Sequence, residues 1–470
     1  MHSDPPDNSS IPVAPSLEPA LASVEVGAPA PREARRYGRL VRQSALAIVV
    51  AILASVAARA LTWLIGAVTN LAFYHRWSGA FTSPAGNQLG AWVILVPIVG
   101  GIIVGYMARY GSAAIRGHGI PEAMEQVLLN ESRVPARVTF LKPLSAAVAI
   151  GTGGPFGAEG PIIATGGALG SLLGQRLHTT PDERKTLLAA GAAAGMAATF
   201  GSPISAVLLA IELLVFEYSP RSLIPIALAS AVATGIRMAL VGTAPVFPMP
   251  EIAAPGSAAL VAYAAIGAVT GFVAVWVTRA LFAVEDGFDR LPIHWMWWPA
   301  LGGVVVGVVG WIAPDTLGVG YANIEHIVNG SLTGGALLGL VFWKLLSWEI
   351  ALGSGTSGGT LAPLFTIGGG FGALIGAGVA SVAPGLGVDP RIAAVVGMAA
   401  MFAGASHALL ASVVFAFETT RTPLTLLPLL VGCTCAYLVA LRLNPESIMT
   451  EKLARRGTEV PREYIATPMQ

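Results

Sequence analysis

A repeated segment without insertion or deletion is the strongest constraint on how this chain folds. Residues 142–210 and 344–412 resemble each other at a constant offset of 202. Within 142–174 and 344–376, thirteen of 33 positions are identical, and seven of these are glycines. A glycine-rich composition raises chance identity, but it does not keep one offset across nearly 70 residues. The pattern therefore predicts that one helical unit occurs twice.

The composition places both copies in a lipid bilayer. Hydrophobic residues make up 54% of the chain and charged residues 11%, whereas soluble proteins carry about 25% charged residues. One crossing needs about 20 apolar residues, so the longest runs must tilt or break into shorter helices. The apolar runs lie at 44–73, 89–108, 139–176, 186–216, 222–246, 257–284, 296–313, 333–352, 361–383, 391–417 and 423–443.

Paired apolar segments interrupted by glycine and proline are typical of transporters that bind their substrate between broken helices. Irregular backbone inside a membrane needs protein or a water-filled cavity to satisfy its polar groups. We therefore predict an all-α integral membrane protein whose pathway passes between such loops. An intramembrane enzyme is the alternative from another class, but no Ser/His/Asp set or metal cluster falls on paired faces. We expect no cofactor and no nucleic-acid partner.

The two ends of the chain differ from its apolar middle. Residues 1–36 read as a disordered tail, and the arginines that precede the first apolar run place the amino terminus in the cytoplasm. Basic residues place the carboxyl end there as well, in a short tail at 457–470. The membrane domain is expected at 37–456, with halves at about 40–245 and 255–456.

Three glycine-rich loops are the candidates for anion binding. They are Gly117-His-Gly-Ile-Pro121, the loop at 151–161, and its repeat partner at 353–363. Glycine lets the backbone turn sharply, and proline suits a first helical turn. A helix N-terminus offers unpaired N–H donors and roughly half a positive charge, so several together hold a bare anion without a full cation. A fixed full charge would release the anion slowly.

The motifs GHGIP, GAEGP and GTLAP in these loops resemble the signatures GSGIP, GREGP and GxFAP of the CLC family of chloride channels and proton-coupled chloride antiporters. The resemblance covers roughly residues 40–456. It implies about eighteen tilted and broken helices in two inverted repeats. It also implies a homodimer in the bacterial inner membrane with one anion pathway per subunit. Because the chain stops at Gln470, we expect no nucleotide-sensing domains after the membrane part.

The residue that the resemblance singles out first is Glu159. The residues alone allow an ordinary first-turn acid stabilised by its helix dipole, whereas the family places its gating glutamate here. A carboxylate at this helix terminus would imitate the anion, and protonation would remove the charge and admit the anion. The resemblance assigns anion binding to His118, Gly119, Ile120, Ala158, Gly160, Thr360, Leu361 and Met449.

Several positions depart from the family pattern. His118 stands where a serine is usual in chloride-selective members, and Met449 falls where the family has a central tyrosine. By the same alignment, Glu212 matches an inner acid, but Leu213 replaces the glutamate that transfers protons, which leaves Glu212 as a possible proton path. We expect anion/proton antiport of chloride or a related anion. The alternative is a passive channel, including one for fluoride or nitrate.

Overall fold

The apolar runs that are too long for one crossing break at their glycines and prolines. The computed structural model describes residues 31–461, with side chains from Tyr37 onward. The run at 139–176 divides into two helices around the loop at 152–158, and the run at 186–216 divides at Gly201, which adopts a left-handed conformation with φ 63°. The length of such runs predicted that they tilt or break, and these two break.

Helices account for the regular structure of residues 31–461, where no β-strand occurs. This confirms the predicted all-α class, and the seventeen α-helices are close to the expected number. They are α1 Pro31–Tyr74, α2 Leu95–Tyr110, α3 Ile120–Leu129, α4 Ala136–Gly151, α5 Glu159–Arg176, α6 Pro181–Phe200, α7 Pro203–Ala210, α8 Pro220–Val241, α9 Ser257–Asp289, α10 Trp298–Ile312, α11 Tyr321–Val328, α12 Gly334–Gly353, α13 Leu361–Val382, α14 Pro390–Ser406, α15 Leu409–Thr420, α16 Leu426–Leu443 and α17 Glu451–Arg455.

Eight of the described helices are long and apolar enough to cross a membrane. Three shorter apolar segments accompany them, at Pro203–Val215, Pro390–Ser406 and Leu409–Thr420. A π-helical turn, Ile211–Val215, continues α7 and ends at Phe216, whose φ is 56°. Mixed long and short apolar helices are what broken spans produce, because a segment shorter than about 20 residues does not cross the hydrocarbon core alone. The protein is an integral membrane protein.

Two predicted boundaries fall at the ends of the described residues. Of the predicted tail at 1–36, residues 1–30 lie outside the described residues, and α1 begins at Pro31. Of the predicted tail at 457–470, residues 457–461 are described and 462–470 are not. The chain divides into two compact units. The first ends at Arg42, and the start of α1 is the part of it that the structure describes. The second runs from Gln43 onward and contains the helices α2 to α17.

The repeated glycines let two helix pairs approach closely, α5 with α6 and α13 with α14. A Cβ added at Gly166 would lie 2.1 Å from the carbonyl oxygen of Gly191. In the second copy, the sequence offset predicts that Gly368 faces Ala393. Gly368 faces Gly397 instead, because a Cβ added at Gly368 would lie 2.5 Å from the carbonyl oxygen of Gly397. The two copies therefore use the same small-residue packing, but the second pair is shifted by one helical turn.

Candidate functional site

The three predicted loops meet in the interior. Gly157 and Gly359 exchange backbone hydrogen bonds of 3.1 and 2.9 Å, and Gly117 forms an isolated parallel bridge with Ser357. The first loop also touches the second, since a Cβ added at Gly160 would lie 1.9 Å from the carbonyl oxygen of His118. The three loops thus form one backbone junction, although long stretches of sequence separate them.

Glycine is required at this junction because no side chain fits. Gly119 has a φ of 101°, which L-residues with a Cβ rarely adopt, and a Cβ there would lie 2.3 Å from the carbonyl oxygen of Gly160. A Cβ at Gly359 would lie 2.6 Å from the carbonyl oxygen of Gly157. The glycines therefore bring three chain segments to backbone contact, which a substitution would force apart.

Three helices begin at the junction: α3, α5 and α13. Neither α5 nor α13 has a side-chain cap on its N-terminal donors. The first loop differs, because the N–H of Gly119 donates to Oε2 of Glu122 at 2.6 Å. This capping box satisfies one donor of α3 internally. The N-termini of α5 and α13 are consequently the ends best placed to attract an anion.

The carboxyl group of Glu159 occupies these two helix ends. Its residue is 1% exposed, and Oε1 accepts a hydrogen bond of 3.1 Å from the hydroxyl of Tyr321. The backbone N–H groups of Glu159 itself and of Ala362 also interact with the carboxyl group, as does the charge of Lys344. A carboxylate in this position fills the place that an incoming anion would need.

The second carboxyl oxygen of Glu159 faces glycine backbone. A Cβ added at Gly157 would lie 1.6 Å from Oε2, and one at Gly359 would lie 2.9 Å from it. Among the described residues, Oε2 has no partner with hydrogen-bond geometry, so its amide contacts are looser than the bond from Tyr321. The carboxyl group is held firmly through one oxygen only.

Two buried lysines hold equivalent loops in the two halves. The Nζ of Lys142 donates to the carbonyls of Ile115 and Gly117, at 2.9 and 2.8 Å. The Nζ of Lys344 donates to the carbonyls of Thr316 and Gly318, both at 2.9 Å. Each ammonium is thus bound to the backbone just before a short helix. This explains why both lysines, among the thirteen identities of the repeat, are buried.

The lysines reveal a fourth loop that the sequence analysis missed. Gly318 and Gly320, with φ values of 69° and 79°, precede α11 as Gly117 and Gly119 precede α3. The offset between these two loops is 201, one less than in the rest of the repeat, so a gap-free comparison does not align them. The fourth loop places Tyr321 on the carboxyl group of Glu159. The paired lysines, together with two Gly-x-Gly sequences, were the signal that could have found it.

His118 lies beside the backbone segment that carries Met449. His118 is 3% exposed and interacts with the backbone of Ile448, the neighbour of Met449. The Nδ1 atom of His118 is buried and has no hydrogen-bond partner among the described residues. Met449 is completely buried. An unpaired ring nitrogen is costly in a buried place, which makes this atom a candidate ligand.

The other predicted anion-binding residues lie at the same junction. Ile120 is the first residue of α3, Ala158 and Gly160 flank Glu159, and Leu361 follows Thr360 at the start of α13. All of them are buried. Leu361 takes the position that the repeat gives to Glu159, so the second copy contributes an apolar side chain where the first contributes an acid.

Glu212 lies outside the junction of the three loops. Its two carboxyl oxygens accept hydrogen bonds from the N–H groups of Leu410 and Ala411, at 2.9 and 3.0 Å, at the N-terminus of α15. A matching cap occurs in the other direction, where Glu418 of α15 accepts from the N–H groups of Ile204 and Ser205 in α7, both at 2.9 Å. Glu212 therefore has a structural role of its own, and Leu213 beside it is buried.

The assembled features define a class: a helical membrane protein with a buried junction of glycine loops, where an acid occupies helix N-termini that attract anions. No group of residues suited to a metal ion occurs in the described part of the chain. The family model of the voltage gated chloride channel matches residues 99–441, so the chain belongs to this family, the CLC channels and transporters. Members of the family transport ions and are not enzymes.

Individual relatives agree with this assignment. The H(+)/Cl(-) exchange transporter ClcA of Vibrio campbellii is 29% identical over 385 residues, which cover 79% of this chain and 82% of that protein. A slow cyanobacterial Cl-/H+ antiporter has a similar structure, with a TM-score of 0.77 and 24% identity over 89% of this chain and 97% of that one. A CLC-type fluoride/proton antiporter gives a TM-score of 0.71 and 22% identity over 88% and 98%.

Proposed function

We propose that this protein exchanges chloride or a related small anion for protons, with Glu159 as the gate. The observation that carries the proposal is the position of the Glu159 carboxyl group, buried at the N-termini of α5 and α13, where the three loops meet. The relative from Vibrio campbellii, which is named as a proton/chloride exchanger, supports the choice of ions.

The gate works by competition between two anions for one place. An ionised Glu159 fills the helix ends and excludes a mobile anion. A proton on the carboxyl group removes its charge, and the helix ends then favour the mobile anion over the neutral acid. Displacement of the protonated side chain carries the proton as the anion enters. Each anion that passes is thereby linked to the protonation of one residue.

The junction supplies the anion with backbone donors in place of a free cation. In this proposal the anion lies among His118, Gly119, Ile120, Ala158, Gly160, Thr360, Leu361 and Met449. Lys344 interacts with Glu159, but its ammonium already donates to two carbonyls. The net positive field is therefore modest, which favours release as well as binding.

One observation favours the second candidate, a passive anion channel. The family's proton-transfer acid is replaced by Leu213, and Glu212 beside it is bonded to the N-terminus of α15. In the antiport proposal, Glu212 or water carries protons between Glu159 and the far side. In a channel, protonation of Glu159 opens the path but no proton crosses. Both candidates use the same gate, so proton movement separates them.

We also propose a homodimer in the bacterial inner membrane, with both termini in the cytoplasm. Two apolar segments, Pro203–Val215 and Leu409–Thr420, are too short at 1.5 Å per residue to cross a core of about 30 Å. Near their beginnings, Ile204 is 60% exposed and Leu410 46% exposed. A second copy packed here would cover these exposed apolar side chains in place of lipid.

Reconstitution into liposomes tests the function directly. Purified protein is placed in vesicles loaded with chloride, nitrate or fluoride, and anion efflux and proton uptake are recorded together. We expect chloride efflux to drive protons inward against their gradient. Anion efflux without proton movement would establish the channel instead, and the absence of any anion flux would reject both candidates.

The variant Glu159→Gln tests the gate. Glutamine has nearly the same shape but stays neutral, so anion flux should become independent of pH and proton uptake should be lost. Glu325→Gln serves as the control, since Glu325 is a partly exposed acid on α11, and it should keep the pH dependence of the natural protein. A Glu159→Gln protein that still follows pH would exclude Glu159 as the gate.

A further inference from the structure

A small open cleft approaches the gate from one side. Its lining includes Thr69, Ser83, Asp315, Tyr321 and Asn323. Tyr321 is only partly buried, whereas Glu159, to which its hydroxyl donates, is buried. The ring of Tyr321 therefore separates the cleft from the carboxyl group, and its hydroxyl reaches through to that group.

Three aromatic rings fix the ring of Tyr321 in this place. Phe81, another residue of the cleft, stacks on it with centroids 6.2 Å apart and an angle of 23°. Phe200 and Phe247 meet it edge-on at 5.8 and 6.2 Å. Packing of this kind restricts the ring to one orientation, so the direction of its hydroxyl is set before the carboxyl group arrives.

We propose that Tyr321 is a positioning residue that holds Glu159 in its blocking position and so sets how readily the path opens. This inference rests on the proposed function, in which Glu159 is the gate. The phenol is the one donor that bonds a carboxyl oxygen of Glu159 with hydrogen-bond geometry among the described side chains, and the other oxygen has no such partner. The pseudo-equivalent position in the other half is Ile120, which carries no donor.

The bond favours the ionised, blocking form of Glu159. A hydroxyl donates more strongly to a carboxylate than to a neutral acid, so Tyr321 stabilises the closed state. The other charged group that faces Glu159 is Lys344, whose ammonium stays bound to two carbonyls. The charged groups that act on His118 are instead Glu122, Lys142 and Lys452. Removing the phenol hydroxyl therefore changes one specific contact of the gate.

The test is Tyr321→Phe, which keeps the ring and removes the hydroxyl. Without the donor the carboxylate is less stable, so protonation and opening should occur at higher pH. A hydrogen bond to a charged group contributes enough to move the pH of half-maximal anion flux upward by about one unit. At pH values above the natural midpoint, flux should rise by up to about tenfold for a shift of that size.

Two further variants make the result specific. Tyr263→Phe removes the hydroxyl of another buried tyrosine, which bonds to the backbone of Asp389, and should leave the pH profile unchanged. The double variant Glu159→Gln with Tyr321→Phe should transport at the rate of Glu159→Gln alone, because the contact has already lost its charged partner. Normal transport by the double variant also shows that Tyr321→Phe folds.

The outcomes separate this inference from the function on which it rests. If the natural protein moves no anion, the proposed function fails. If the natural protein shows pH-dependent flux but Tyr321→Phe has the same profile, the function stands and the role of Tyr321 is rejected. If the double variant differs from Glu159→Gln, Tyr321 acts through the structure in general and the inference is also rejected.

Discussion

At the scale of single residues, the site is made by positions where the two copies differ. Glu159 has Leu361 as its partner in the repeat, and Tyr321 has Ile120. The carboxyl group and the phenol that donates to it therefore come from different halves. In each half, the position equivalent to the other half's polar residue is apolar. A symmetric duplication would yield two equal helix ends. In the proposed function, the unequal residues make one of those ends the gate.

His118 is the residue whose contribution to anion affinity is easiest to isolate. Its unpaired Nδ1 is buried near the backbone that carries Met449. If the ring is a ligand, His118→Ala should weaken chloride binding by roughly 10- to 150-fold, since a hydrogen bond to a charged group contributes about 1.5–3 kcal/mol. Isothermal titration of purified protein with chloride measures the change. His326→Ala removes an exposed imidazole on α11, outside the buried junction, and should bind chloride as before. Equal affinities in all three proteins would show that His118 only fills the loop.

At the scale of elements, two short helices cap each other across the halves. Glu212 follows α7 and binds the start of α15, and Glu418 on α15 binds the start of α7. Charge-assisted bonds of this type satisfy donors that a buried helix end otherwise leaves unpaired. Broken helices in a membrane need such partners, so the reciprocal caps help to explain why segments this short are tolerated.

The paired caps offer a direct test of proton transfer through Glu212. Both Glu212→Gln and Glu418→Gln weaken a cap, so each should lower the thermal stability of the protein in detergent by a similar amount, about 1–3 kcal/mol. Proton uptake with chloride efflux should be lost in Glu212→Gln and kept in Glu418→Gln. If both variants keep full coupling, Glu212 serves the fold alone and protons reach Glu159 by another route, such as water.

At the scale of the whole molecule, the sequence predicted the membrane class, the breaks and the three converging loops, because glycine spacing and a constant offset record them. It did not predict Tyr321, because the second copy has one extra residue between this loop and Lys344, so an offset of 202 passes over the match. It also did not predict the turn-wise shift of α13 on α14, where Gly368 faces Gly397. The register of two packed helices depends on how the side chains at their contact fit together, and a sequence offset does not record that fit.

A complete site within one chain has a consequence for the proposed dimer. One chain contributes all parts of the site, namely Glu159, Tyr321, His118 and the start of α13. Each subunit should therefore transport independently. A tandem dimer that joins one natural copy to one Glu159→Gln copy should therefore give the average of the two parent anion fluxes at every pH. Its proton uptake should be half that of the natural tandem dimer. Flux measured in liposomes at two pH values checks both, with the two parent tandem dimers as controls. A mixed dimer that behaves like either parent would mean that the gates of the two subunits open together.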